Sequence, residues 1–457
     1  MFIFSIIFIG VFIYALNGIF KKREELVLNY FIFALPIYIT ALSTTMLFGF
    51  DKVVPLLQYS KELLVLITLL ALIVRINNKV KLHLFDQLLL LYLFIVFCYN
   101  LLPLGGLSLY QKLVATKSIT IFCFVYFIGR LIPYQKVNLT KYLNYISLVG
   151  VAAGLVVLLE FIFDKHLQTK TGYAEFMFKY FSQEAKGNYG LSWTFETQNG
   201  LKRYASFFSM PLEHAASTLL SVAVIGALIT KNNNKIKLDK ITIAASIGTI
   251  LSILFAVSRA SFISYAFVIY FYAIITKRIQ FLKWVHITLA IIVIIFLLYV
   301  QGDVYDFIMN TISFTDSSSL THLLAWAQGI ESVSLHPMGI GLGTSGNVAN
   351  SFGGSLGGEN EFLIIGIQVG ILPMLIYTFL YIYTIVLSVK YYKAGNGKLK
   401  QLALLLLLLK VGLIIPSFSA EAESYLYISY LTWFFTGYLI NLISTPGQLH
   451  SNNLTNH

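Results

Sequence analysis

Apolar runs of roughly 17 to 25 residues, the length that spans a bilayer as a helix, recur along the whole chain between polar connections. The pattern predicts thirteen spans, over 2–20, 26–50, 56–75, 84–104, 112–132, 142–163, 204–229, 241–258, 260–276, 284–300, 361–389, 399–416 and 424–443. Two connections are long, 164–203 and 301–360. The expected fold class is therefore all-α: a polytopic integral membrane helix bundle of about 12–13 transmembrane helices with a large extracytoplasmic loop, forming one domain over 1–457.

Composition agrees with the pattern. The 457 residues are 58% hydrophobic and 11% charged, with a mean hydropathy of +0.78, outside the soluble globular range. A formal charge of +12 would suggest nucleic acid in a soluble protein. Here the cations stand in short clusters between apolar runs, so no nucleic-acid partner is expected. Cys98 and Cys123 lie inside apolar runs without metal or redox spacing. Residues 1–20 lack a basic leader and a small-residue cleavage site, so a retained first span is expected.

Sidedness follows from the cations. Clusters at Lys21–Arg23, Arg75–Lys81, Arg130–Lys141, Lys231–Lys240, Lys277–Lys283 and Lys390–Lys400 fall on alternate connections, which are then cytoplasmic. No Lys or Arg occurs between Lys283 and Lys390, so the 301–360 loop is expected outside the cytoplasm, with the N-terminus outside and the C-terminus inside.

Within 164–203, Tyr173, Phe176, Met177, Tyr180 and Phe181 recur at helical spacing and predict an amphipathic interfacial helix started by Thr171 and ended by Gly187. It would serve as an anchor at headgroup level or as a platform for a lipid-linked substrate. Within 301–360, a helix is predicted from about Leu320 to Ser334, capped by Ser318 or Ser319 and stopped by His336-Pro337. Glycines at 339, 341, 343, 346, 353, 354, 357 and 358 follow. Gly341 to Gly346 spells G-x-G-x-x-G, but after a helix rather than a strand it is not a dinucleotide site.

Few residues here can carry chemistry. Arg259, in a tight turn between two spans, and Arg203, at the start of another, are cations against the topological bias. Guanidinium groups grip phosphate oxygens bidentately and stay charged when partly desolvated, so the pair suggests capture of a diphosphate. The structural alternatives are that Arg203 snorkels to headgroups and that Arg259 pairs with Glu213. Glu359, Asn360 and Glu361 stand where the glycine stretch meets the next span. A carboxylate there is a candidate general base for a sugar hydroxyl, with helix capping as the alternative role. His214, His322 and His336 complete the candidates, His322 as a polar-face residue and His336 as a helix terminator. No metal site and no cofactor is expected.

These residues resemble the O-antigen ligase and Wzy-type O-antigen polymerase superfamily. Three segments carry the likeness: RYASFFSMPLEHAA from Arg203, the Ser258-Arg259 turn, and LLAWAQGIESVSLHPMGIGLG followed by ENEFLIIGIQVGILPML in the second half of the chain. The resemblance implies a metal-independent, inverting glycosyltransferase in the bacterial cytoplasmic (inner) membrane, working on its extracytoplasmic face on an undecaprenyl-diphosphate-linked oligosaccharide. Membrane lipids and a chain-length regulator are the other partners it suggests. It implies Arg203, Arg259 and Glu359 as catalytic residues, and His322, His336, Asn360, Glu361 and His214 stand beside them as candidate substrate-binding residues. Glu359 stands where the ligase branch carries histidine, which favours the polymerase branch, and His322 stands where the family has an arginine. A ligase acting on a lipid or protein acceptor and a transporter or flippase for lipid-linked sugars are the alternatives. The last would place more ionisable groups in mid-span and show repeat symmetry, and the sequence makes neither evident.

Overall fold

The computed structural model describes residues 1–76, 81–197, 200–230, 238–299, 309 and 317–444. The helices are α1 (Ile3–Phe20), α2 (Glu24–Leu47), α3 (Val54–Arg75), α4 (Leu84–Tyr99), α5 (Leu109–Leu131), α6 (Leu139–Ile162), α7 (Tyr173–Phe181), α8 (Pro211–Ile229), α9 (Lys240–Ala256), α10 (Arg259–Ile275), α11 (Ile279–Tyr299), α12 (Ser317–Leu335), α13 (Glu361–Val369), α14 (Ile371–Ala394), α15 (Gly397–Ser419) and α16 (Leu426–Ser444). Among the described residues there is no strand, and nine helices are long and apolar enough to cross a membrane. Helices α4, α9 and α10 are shorter apolar helices. The chain is an all-α, multi-pass membrane protein.

Local chemistry sets many boundaries. His83 with Asp86, Ser108 with Gln111, and Asp239 with Thr242 form reciprocal caps at the starts of α4, α5 and α9, satisfying amides that a helix start leaves free. Pro36 has no amide to give the helix, and α2 passes through a π turn over Tyr30–Ala34 and a 3-10 turn over Leu35–Ile37.

Several boundaries differ from expectation. The 361–389 span is two helices, broken at Gly370, whose φ is +86°; an added Cβ would stand 2.7 Å from the Pro337 carbonyl oxygen. Helix α12 begins at Ser317, so Ser318 and Ser319 lie within its first turn rather than ahead of it. Residues 204–210 are not helical, and α8 starts at Pro211. Helix α7 starts after Gly172 and stops at Ser182, both in the left-handed region, while Thr171 donates its hydroxyl to the Gln168 carbonyl instead of capping. The buried face of α7, Tyr173 and Phe176, packs on protein, against Leu191, Phe195, Ala205 and the end of α2. Lys79, Lys231, Lys235, Lys237 and the opening of the 301–360 loop lie outside the described residues.

The ends of the bundle differ in charge. At one end Glu24 receives Arg75 and Lys136, Arg130 pairs with Asp86 at 3.1 Å, and Lys398 donates to the Val137 carbonyl at 2.8 Å. The connections that meet there are those expected to be cytoplasmic. The opposite end carries 163–197 and 200–210, the glycine segment and the turn between α15 and α16.

Without a hydrophobic driving force between helices in lipid, contact depends on small residues that let backbones approach. Helices α5 and α16 meet this way: a Cβ on Gly437 would fall 2.0 Å from the Tyr126 carbonyl oxygen, and one on Gly129 2.0 Å from that of Phe434. Helices α6 and α9 meet through Gly154 and Gly248. Gly437→Ala is therefore expected to destabilise the protein by about 1–3 kcal/mol, the usual range for overpacking. Gly10→Ala, with nothing within 4 Å of the new atom, should leave the unfolding midpoint in detergent nearly unchanged.

Candidate active site

The segment from Arg203 to Met210 enters the bundle as irregular backbone, and much of that backbone is hydrogen-bonded to its surroundings. Arg203 and Tyr204 donate their amides to the Phe195 and Phe255 carbonyls at 2.8 and 3.0 Å. Ser206 donates its amide to Glu160 at 2.8 Å. Gln168 holds the Ser206 and Phe208 carbonyls at 2.8 and 2.9 Å, and Thr40 reaches that of Phe207 at 2.8 Å. His214 is fully buried, stacked on Phe208, with Nδ1 3.0 Å from the Tyr204 carbonyl oxygen. That contact gives it the role of fixing the backbone beside Arg203.

Arg203 does not snorkel. Its Nε is buried and has no hydrogen-bond partner among the described residues. Its pKa is pushed down to about 10, first by burial and then by the positive charge of Arg259, so the two guanidinium groups share one electrostatic field. Arg259 is the first residue of α10, directly after Ser258. Glu213, the alternative partner for Arg259, instead accepts the Ser209 amide at 3.3 Å together with the Ser209 hydroxyl.

The glycine segment is laid along the break between α13 and α14. Ile371 donates to the Pro337 carbonyl and Ile340 to that of Ile367, both at 2.8 Å, and Gly341 donates to Gln368 at 3.1 Å. The Gln368 side chain accepts the Gly343 amide at 2.8 Å. Gly339, at φ +75°, has room only for hydrogen, because a Cβ would meet the Gly370 nitrogen at 2.6 Å. Beyond it the chain folds back through Ser345, whose hydroxyl donates to the Leu356 carbonyl at 2.6 Å, and Gly357 rests on Ala325 and Gly329 of α12.

This return places Glu359 on α12, with Oε2 2.6 Å from His322 Nδ1. The contact is close but off the hydrogen-bond direction, and both side chains remain partly open to solvent, 31% for His322 and 40% for Glu359. Among the described residues it is His322, rather than either arginine, that lies against the Glu359 carboxylate. The neighbours of Glu359 have other duties. Asn360 caps α13 by accepting the Phe362 and Leu363 amides at 3.0 and 3.2 Å. Glu361 is buried and accepts the Glu423 amide at 3.0 Å. His336 is exposed and closes α12 through its amide.

Sequence reasoning passed over a second acidic group. Glu421 accepts the Asn347 amide at 2.5 Å, tying the glycine segment to the turn before α16. Glu423 accepts the Tyr377 hydroxyl and the Trp433 indole N–H at 2.6 and 2.7 Å, and Lys410 of α15 lies over the Tyr381 and Trp433 rings. The Glu-Ala-Glu spacing in a short connection, and a lysine ending the leucine run of α15, were the available signals. Burial, and then the neighbouring Glu423, push the Glu421 carboxyl up to about 7. Lys410, Lys61 and Glu62 also show that mid-span ionisable groups are present.

Both pairs sit at the same end of the bundle. Gln401 reaches the Ala227 carbonyl at 3.3 Å and Tyr272 meets Thr230 at 2.8 Å, so α8 starts, α10 starts and α15 ends together. Phe418, at the end of α15, packs on Phe362 of α13. Tyr425 joins the two regions: burial raises its hydroxyl pKa, and Glu213, Glu421 and Glu361 raise it further. Among the described residues no three His, Cys, Asp or Glu side chains gather as a metal site would require.

The chain matches no protein-family model and no curated protein. The site offers a half-buried pair of cations suited to phosphate oxygens, and a partly exposed carboxylate beside a histidine.

Glu421 has a testable signature. Its folded pKa of about 7 lies above its ordinary 4.5, so the folded state holds the proton more tightly. The stabilisation is complete below 4.5 and is lost as pH rises through about 7. Glu421→Gln should flatten that decline in a melting temperature recorded against pH; an unchanged slope would show that another group carries it.

Proposed function

We propose that this protein is a membrane-embedded inverting glycosyltransferase that joins lipid-linked oligosaccharide repeat units into a surface polysaccharide. The observation that carries the reading is Arg203, a half-buried guanidinium with an enclosed Nε, opposed by the charge of Arg259, at the same end of the bundle as the Glu359–His322 pair. A buried cation facing another is stabilised by an anion of more than one charge, and the diphosphate of a polyprenyl carrier has both the charge and a lipid tail that keeps it at the membrane. The resemblance of the three segments to the O-antigen polymerase and ligase superfamily supports the same chemistry.

On this reading Glu359 takes the proton from an acceptor sugar hydroxyl as its oxygen attacks the anomeric carbon of the donor. The bond from that carbon to the carrier phosphate breaks on the opposite face, inverting the centre. The electron pair leaves with the diphosphate, where Arg203 and Arg259 meet the developing charge. His322 holds Glu359 toward the acceptor. The work is done on the extracytoplasmic face of a bacterial cytoplasmic membrane, as the cation distribution suggests. Polymerisation is preferred to ligation because a glutamate, Glu359, stands before Asn360.

Arg259→Ala should lower chain elongation by about 10²–10³-fold and Glu359→Gln by about 10²–10⁴-fold, with the protein inserted at normal levels. His336→Ala should lose far less. Cells carrying the two severe variants should accumulate single lipid-linked repeat units, read by gel analysis of surface glycans. Wild-type product lengths would refute the assigned roles, and carrier-linked polymer beside bare acceptor would identify a ligase.

A further inference from the structure

Lys61 and Glu62 of α3 and Lys117 of α5 form an ion cluster inside two membrane-spanning helices. Lys61 Nζ donates to the Tyr38 hydroxyl at 2.7 Å and the Gln58 carbonyl at 2.9 Å, and lies 3.1 Å from Glu62 Oε1. Lys117 Nζ lies 3.0 Å from the same oxygen. The other oxygen, Glu62 Oε2, is buried without a hydrogen-bond partner. Two ammonium groups around one carboxylate leave a formal charge of +1 when all three are ionised. That charge faces outward, because the Lys117 side chain is 42% exposed while those of Lys61 and Glu62 are each 11% exposed.

The depth of the cluster decides what can answer the charge. Lys61 lies seven residues into α3 and Lys117 eight into α5, about 10–12 Å below the helix ends at about 1.5 Å per residue. Those ends belong to the face that carries the glycine segment, since Gly105, just before α5, packs on Gly341. The surface around and below Lys117 is that of a lipid-facing wall: Leu63, Leu66 and Leu70 are exposed, with the Tyr59 and Tyr110 rings above them. Lys117 stands 5.7 Å from the centroid of the Tyr59 ring. An ammonium at this level extends its stem toward the headgroups, and phenols are at home there.

We propose that Lys117, backed by Lys61 and Glu62 and flanked by Tyr59 and Tyr110, is a binding site for the phosphate of an anionic phospholipid whose acyl chains run inward along Leu63, Leu66 and Leu70. The apolar wall holds the chains, the net charge selects a negative headgroup over a zwitterionic one, and the phenols supply hydroxyl donors to the phosphate. Glu62 limits the attraction by sharing itself between the two lysines. The site is independent of glycan transfer, since α3 contributes none of the groups assigned to that reaction.

Native mass spectrometry of the full chain, released from micelles doped with phosphatidylglycerol or phosphatidylcholine, tests the site. The wild type should retain phosphatidylglycerol in preference to phosphatidylcholine. Lys117→Gln should weaken retention of phosphatidylglycerol roughly fivefold, the effect of one lysine near an anionic surface, without changing retention of phosphatidylcholine or the melting temperature. Glu62→Gln, which raises the formal charge of the cluster from +1 to +2, should tighten phosphatidylglycerol. Equal retention of the two lipids by the wild type, or undiminished phosphatidylglycerol on Lys117→Gln, would overturn the proposal. Displacement of phosphatidylglycerol by excess inorganic phosphate would overturn it too, in favour of a free-phosphate site. Loosening on Glu62→Gln would make the cluster a packing device.

Discussion

A guanidinium group held in the bundle beside a second one is the constraint on which the account rests. Arg203 keeps a buried Nε without a hydrogen-bond partner among the described residues, and its pKa falls because burial and Arg259 both disfavour its charge. Side chains of this kind are ordinarily neutralised by a carboxylate or turned to water. Glu196 and Glu213, the acids on either side of it in sequence, are committed to Asn188 and Ser209. The fold thus maintains a cationic position that an anion would relieve, and it does so with backbone: Glu160, Gln168, Thr40 and His214 pin the segment from Tyr204 to Phe208 so that Arg203 has no freedom to withdraw.

The glycine segment plays the matching part for the carboxylate. Its path is set by the break at Gly370, where Pro337 and Gly339 approach the backbone of α13 and α14 more closely than any side chain would permit. The segment then returns over α12 and delivers Glu359 to His322. Glu421 fastens the middle of the segment through the Asn347 amide, and Glu361 fastens the turn that carries Glu421 and Glu423. Buried carboxylates act here as hydrogen-bond acceptors for loop backbone, while the more exposed Glu359 stays available for chemistry.

Much of this was legible in the chain and some of it was not, for physical reasons. Long apolar runs announce membrane helices because a bilayer demands length and apolarity, and the runs over 56–75, 142–163 and 399–416 each became one helix. A glycine inside such a run is ambiguous, since helices tolerate it, so the break at Gly370 needed the contact with Pro337 to be seen. Periodicity in α7 correctly marked an apolar face but could not say what covers it: part of that face packs on α2 and Phe195 rather than lying at the headgroups. Glu359 and Glu361 look equivalent in sequence; only the fold sends one to His322 and buries the other under Glu423. Pairings such as Arg203 with Arg259 join residues far apart in the chain, and no local pattern encodes them.

A double-mutant cycle on carrier affinity tests the central claim most directly. Binding of undecaprenyl diphosphate to the purified protein is measured for the wild type, Arg203→Ala, Arg259→Ala and the double variant. If both guanidinium groups grip one diphosphate, the losses are strongly non-additive, with a coupling in the range of about 0.5–3 kcal/mol seen for groups that share a partner. Losses that simply add, or affinity indifferent to Arg203, would contradict the account.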